Sequence, residues 1–183
     1  MSPRTQNRNL PYTPVPPADV LKNEPDTDFD LPQNQEWVRS IFSKWKKDGT
    51  EQPEIIPLQI GAETVVCESR YPYTDRCQDD EVCICEMSQA DSAQVEKIIE
   101  IAEADPAGWR KTTLEERHRI MYEAANRLAD MRGDLIGCMC AVTGKTVIEG
   151  DVEVSEAVDY ARFYTTAMKK FAALDDVEMK PKG

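Results

Sequence analysis

Positive charge is scarce in this chain: 22 lysines and arginines stand against 34 aspartates and glutamates, giving a formal net charge of -12 and a pI near 4.6. A field of that sign repels phosphate backbones, and no Lys/Arg cluster stands out locally, so no nucleic-acid partner is expected. Histidine is scarcer still. His118 stands alone, so any Cys–His or Ser–His–Asp site would have to use it. It lies in Glu115-Glu116-Arg117-His118-Arg119, a charged helical face on which a solvated ring is expected rather than a general base. Long apolar runs are missing: none approaches the roughly 18 residues that a membrane span needs. The stretch from Met1 to Tyr12 has no apolar signal core, so a cytoplasmic protein is expected.

The chain also lacks one glycine that would have mattered. Gly144-Lys145-Thr146 looks like the tail of a phosphate-binding G-x-x-x-x-G-K-[ST] loop, but position 139 is Met139, and the residues ahead read as helix rather than strand. Without the first glycine the backbone amides cannot curl around a phosphate. A helix C-cap, with Gly144 left-handed and Lys145 near the carbonyl end, accounts for the same letters.

Six cysteines are present: Cys67, Cys77, Cys83, Cys85, Cys138 and Cys140. In a reducing compartment they are expected as free thiols. The two Cys-x-Cys pairs invite a zinc reading, but zinc sites use wider pairs whose ligands converge on one point. Cys83 and Cys85 fall on one predicted strand and Cys138 and Cys140 on one helix, where residues two apart do not face each other. Small buried hydrophobes is the better reading, and no metal ligands are assigned.

Nine of the twelve prolines lie in the first 57 residues. Residues 1–22, with P-Y-T-P-V-P-P, read as an extended linker, and 23–183 as one domain. Pro32 opens a helix preceded by Asp30 or Leu31, with Trp37, Ile41 and Trp45 on one face and Gly49 ending it. From Ile55 to about Ser88 the pattern is of strands. A hairpin turns near Gly61-Ala62-Glu63, a third strand starts at Val82, and Y-P-Y-T-D-R-C-Q-D-D forms a polar loop between them. The remainder is helical. Asp91 caps a helix with Val95, Ile98, Ile99 and Ala102 as its buried stripe. D-P-A-G breaks that helix, and Thr113 caps the next. Gly133 separates that one from a helix ending at Gly144. The last helix runs from about Asp151 to Leu174, with Val154, Val158, Ala161, Tyr164, Met168 and Phe171 facing inward. Its acidic residues Glu149, Asp151, Glu153, Glu156 and Asp159 could pair for acid–base or metal chemistry, but a charged solvent face is the ordinary reading.

Several segments, taken in order, resemble the aldehyde dehydrogenase family, and within it the branch that oxidises glutamate semialdehyde in proline breakdown. They are N-E-P-D-T-D-F at Asn23, I-P-L-Q-I-G at Ile56, W-R-K-T-T-L-E-E-R at Trp109, L-A-D-M-R-G-D-L-I at Leu128 and T-G-K-T-V-I-E-G-D-V-E-V-S-E-A-V-D-Y at Thr143. The resemblance spans roughly residues 23 to 175. It departs at Tyr71-Pro72-Tyr73, where the family has an Asn-Pro after its first hairpin. It implies an α+β fold: a helical layer with a small antiparallel sheet, the truncated N-terminal part of an NAD-binding domain. It places Glu156 at the substrate pocket with Phe163 as a weaker neighbour. The reactive cysteine, its general-base glutamate and the cofactor contacts would lie beyond Gly183, so no catalytic or cofactor-binding residue is assigned here. NAD would belong to the full-length parent, and FAD would enter only with a preceding proline dehydrogenase domain. The implied partner is the remainder of the dehydrogenase domain, with a homo-oligomer open. Two other classes stay open: a truncated paralogue acting as an interaction module, and an unrelated acidic helical adaptor.

Overall fold

Three capping boxes set where the helices begin. Asp91, Thr113 and Thr146 each accept a hydrogen bond from the backbone N–H three residues on, and Gln94, Glu116 and Glu149 reach back to the cap. In the computed structural model, which describes residues 4–47, 49–78 and 82–174, the helices are α1 (Pro32–Trp45), α2 (Ser92–Ala104), α3 (Leu114–Asp130), α4 (Arg132–Thr143) and α5 (Val147–Ala172). The strands are β1 (Glu54–Ile56), β2 (Leu58–Ile60), β3 (Glu63–Val65), β4 (Arg70–Thr74) and β5 (Cys83–Ser88). The fold is α+β.

The core lies where α3, α4 and α5 meet. Ala125 and Ala129 of α3, Ile136 and Cys140 of α4, and Val154, Val158 and Ala161 of α5 are buried together. Trp37 of α1, Met121, Leu128 and Leu135 close around them. Residues 4–22 carry no regular strand or helix but lie against this body: Asn126 bonds both the N–H and the C=O of Val15, and Tyr122 donates to the carbonyl of Ala18.

The sheet differs from expectation in two ways. The stretch Tyr71–Thr74, read as loop, is part of β4, which pairs antiparallel with β5. Pro72 is tolerated because β4 is an edge strand in the order β1-β5-β4. β1 runs parallel to β5, so this sheet is mixed rather than antiparallel. The expected hairpin is β2–β3 with Gly61 at φ 61°, shorter than predicted because Pro57 divides β1 from β2.

Helix boundaries also shift. α1 stops at Trp45, with Lys46 extended, so Gly49 is not its cap. The α3–α4 break falls at Met131, and Gly133 is inside α4, packed near Trp37 and Ile41. α5 begins a turn early, at Val147, because the Thr146–Glu149 capping box wins over the later acidic residues. Val95, Ile98, Ile99 and Ala102 of α2 are exposed, since among the described residues little beyond the short β2–β3 hairpin and the Cys67 loop approaches that helix. Along α5 the buried stripe is Asp151, Val154, Ser155, Val158, Ala161, Arg162 and Thr166; Tyr164, Met168 and Phe171 are exposed rather than inward.

Candidate functional site

α5 has two unlike faces. Its inner face holds the core residues just named. On the outer face lie Ile148, Val152, Tyr160, Phe163, Tyr164, Met168 and Phe171, all exposed and large, and Glu156 sits among them. Glu156 and Phe163 are seven residues apart, so they share a side two turns from each other, about 10.5 Å along the axis. Tyr160 and Tyr164 stack with ring centroids 6.0 Å apart, and Phe163 meets Tyr164 edge-on at 5.4 Å. The result is one carboxylate beside an aromatic patch. Among the described residues Glu156 has no side-chain hydrogen bond or ion pair, so both its oxygens are open to accept from a ligand. Phe163, 45% exposed, offers an apolar wall.

No cysteine stands beside this patch. Cys83 and Cys85 are on β5, Cys138 and Cys140 on α4, Cys67 and Cys77 in loops, and all six are free. Cys140 alone is buried; Cys77 is exposed, so the reading of all six as buried hydrophobes holds for one of them. Cys77 has a capping role: its thiol donates to the Cys140 carbonyl at 3.1 Å, and the N–H of Arg76 donates to the Ala141 carbonyl at 2.7 Å, closing the carboxyl end of α4. Burial pushes the Cys85, Cys138 and Cys140 thiols up, away from thiolate character. No group of three or more His, Cys, Asp or Glu among the described residues is placed to hold a metal. Gly144 is left-handed at φ 73° as the C-cap of α4, and Lys145 pairs with Glu153, so these residues are committed to helix ends.

Two of the acidic residues read as a solvent face are structural. Asp151 is 1% exposed and accepts from Arg132 at 2.7 Å and from the backbone N–H and hydroxyl of Thr27, both at 2.6 Å. Asp159 accepts from the Asn23 amide and the Glu24 N–H, both at 2.7 Å. Glu24, itself buried, bonds Arg162 at 3.0 Å and lies 3.7 Å from Arg132. The N-E-P-D-T-D-F segment is thereby clamped to α4 and α5. Sequence reading missed this cluster; the sign was an arginine at position 132 opening a helix that is apolar apart from Asp134 and Thr143.

His118 also departs from expectation. It is 3% exposed, tilted on the Tyr122 ring with centroids 4.7 Å apart, and neither ring nitrogen has a hydrogen-bond partner. A cavity of about 480 Å³ between α1, α4 and the loop after β4, lined by Trp45, Asp75, Cys77 and Cys140, contains neither Glu156 nor Phe163. Among the described residues no helix is long and apolar enough to cross a membrane.

Comparison with known proteins bears on this geometry. The profile of the aldehyde dehydrogenase family matches residues 66–182. A protein of Bacillus mycoides described as 1-pyrroline-5-carboxylate dehydrogenase is 27% identical over 166 residues, covering 88% of this chain and 31% of the relative. One of Geobacillus with the same description is 29% identical over 160 residues, covering 87% and 30%. The chain thus spans about a third of the length of the curated relatives it matches. Among solved structures, 1-pyrroline-5-carboxylate dehydrogenase from Thermus with bound NAD superposes with a TM-score of 0.76 at 23% identity, over 86% of this chain and 30% of that one. Proline utilization A from Bdellovibrio bacteriovorus gives 0.78 at 21% identity, over 94% and 17%.

Proposed function

This chain belongs to the aldehyde dehydrogenase family, and we propose that it forms the amino-terminal part of an NAD-dependent dehydrogenase oxidising L-glutamate γ-semialdehyde to glutamate in proline breakdown. The observation that carries the reading is the outer face of α5: a carboxylate, Glu156, without a side-chain partner among the described residues, set in an exposed aromatic and aliphatic patch. Relatives described as 1-pyrroline-5-carboxylate dehydrogenases, the cyclised form of that aldehyde, support the substrate class. In this reading the patch docks against the remainder of the dehydrogenase domain. Glu156 then presents a hydrogen-bond acceptor to the substrate pocket and Phe163 an apolar wall. Neither attacks the aldehyde. The nucleophilic cysteine, its general base and the NAD contacts come from the rest of that domain, so this chain by itself is catalytically silent.

A chimera tests this: residues 23–174 of this chain replace the matching segment of the Geobacillus relative. The expected result is NAD reduction with glutamate semialdehyde, and a several-fold rise in KM for that aldehyde on Glu156→Gln, with the KM for NAD unchanged. A folded, NAD-binding chimera whose aldehyde kinetics ignore Glu156→Gln would sink the assignment of Glu156. The same exposed face also favours a second reading, a non-catalytic oligomerisation module. A monodisperse dimer of the isolated chain on gel filtration would turn the argument that way.

A further inference from the structure

His118 is a buried base that the proposed chemistry does not use. It lies on α3 one turn ahead of Tyr122 and is covered by the end of the amino-terminal strap, residues 13–20. The strap starts from a fixed point, Tyr12, whose hydroxyl accepts from Arg162 at 2.8 Å and donates to Asn126 at 3.3 Å; beyond it the bonds are few. Asn126 grips Val15 through its N–H and C=O at 3.0 and 2.9 Å. The Ala18 carbonyl accepts from Tyr122 Oη at 3.2 Å and Thr166 Oγ1 at 3.4 Å. Asp19 pairs with Lys169 of α5 at 2.7 Å. Beyond Asn23 the anchoring changes in kind, because Asp159 and Asp151 hold Glu24 and Thr27 from inside the body.

We propose that His118 is a proton-operated latch for this strap: neutral, it lets residues 13–20 close over α3 and α5; protonated, it lifts them while Tyr12 and the segment from Asn23 onward stay clamped. The ring is buried and neither nitrogen has a partner in good hydrogen-bond geometry, so a second proton arrives without a solvent shell, and the nearby Ala18 carbonyl of the strap offsets that only in part. The charges facing it come from three elements. Lys169 on α5 opposes a cation; Asp19 on the strap and Glu115 on α3 favour one. Asp19 is already committed to Lys169, which holds its carboxyl below the usual range, so that pair stays charged while the imidazole titrates. Burial and Lys169 push His118 down from its ordinary value. The docked strap is therefore most stable above the unfolded histidine pKa of about 6.5 and weakens as pH falls below it. Opening the strap hydrates the ring and relieves the penalty.

Two measurements on the intact chain decide it. Hydrogen exchange, corrected for the intrinsic pH effect, is followed in peptides covering residues 13–20 and in α4 from about pH 7.5 to 5.5. Protection of the Val15 amide, which donates to Asn126, is expected to fall several-fold relative to α4, and to stay flat in His118→Phe. An equal loss in His118→Phe, or no loss in the native chain, overturns the latch. Because His118 is the single histidine, its ring proton resonance also titrates without ambiguity. A midpoint below about 6.5 agrees with the latch and one at or above it overturns the latch, whatever the variant's stability.

Discussion

Arg132 and Asp151 form an ion pair at 2.7 Å with side chains only 2% and 1% exposed, and the same carboxylate receives the N–H and hydroxyl of Thr27. The pair therefore joins α4 to α5 and both to the amino-terminal segment. A buried pair that loses one member leaves the other charge without water or partner, at a cost of about 3–5 kcal/mol. Arg132→Met should destabilise by that order in urea unfolding, and Asp151→Leu by less, because Glu24 at 3.7 Å and the Ser155 hydroxyl still face Arg132. The double variant should cost well below the sum, since no charge is then stranded. It should not return to the native value, because Thr27 keeps a buried N–H with no acceptor, worth about 1–3 kcal/mol. Additive single effects would mean that the two side chains are not coupled.

Gly137 marks a second contact that tolerates no addition. A Cβ there would stand 2.2 Å from Cδ1 of Trp45, well inside contact distance. Trp45 could retreat only by giving up the bond from its indole N–H to Asp134, 3.2 Å long. Gly137→Ala should therefore lower stability by about 1–3 kcal/mol, the usual range for overpacking, despite alanine's better helix propensity. A red shift in tryptophan emission should accompany it as Trp45 moves toward water. A stabilised Gly137→Ala would show that α1 and α4 are not packed as described.

What could be read from the letters was local. Asp91, Thr113 and Gly144 announced helix ends because capping is chemistry within a few residues, and the Gly61 turn was visible for the same reason. Partners distant in sequence were not legible. Asp151 and Glu156 look alike in a helical pattern, five residues apart, yet one meets Arg132 and Thr27 and the other meets nothing among the described residues. His118 was misread because its cover, the strap near Ala18, lies a hundred residues away in sequence. Likewise α2 carries an apolar stripe with little to cover it, and no periodicity can tell a buried stripe from a waiting one. Glu156 and Phe163 came from resemblance, not from pattern; the structure puts them on one exposed side of α5, two turns apart.

Acid should act on α4 through Asp134. Lys44, by a hydrogen bond and its charge, and the Trp45 indole hold that carboxyl below the usual range. A folded-state pKa below the unfolded one stabilises the protein above the unfolded value, about 3.9 for aspartate, and the benefit disappears as pH falls through the folded value. Asp134→Asn should thus leave the melting temperature less dependent on pH below about 4, while its effect near neutrality is a fixed loss of the Lys44 pair. Parallel melting curves of the two proteins against pH would refute the assignment.

The outer face of α5 makes the strongest demand on solution behaviour. Val152, Tyr160, Phe163, Tyr164, Met168 and Phe171 form an exposed apolar strip on one helix, whereas Val158, expected to face inward, is fully buried in the core. Uncovered strips of this kind drive association. The net charge of -12 opposes it through repulsion that salt screens, with a Debye length falling from about 10 Å at 0.1 M to about 3 Å at 1 M. The isolated chain should elute from gel filtration as soluble aggregates that grow with salt. Replacing Phe163, Met168 and Phe171 together by serine should convert it to a monomer without lowering its unfolding midpoint, because none of the three belongs to the core. A native chain that runs as a tight monomer and melts cooperatively in high salt would mean that the strip is already covered, and the remainder of a dehydrogenase domain would have no surface left there to occupy.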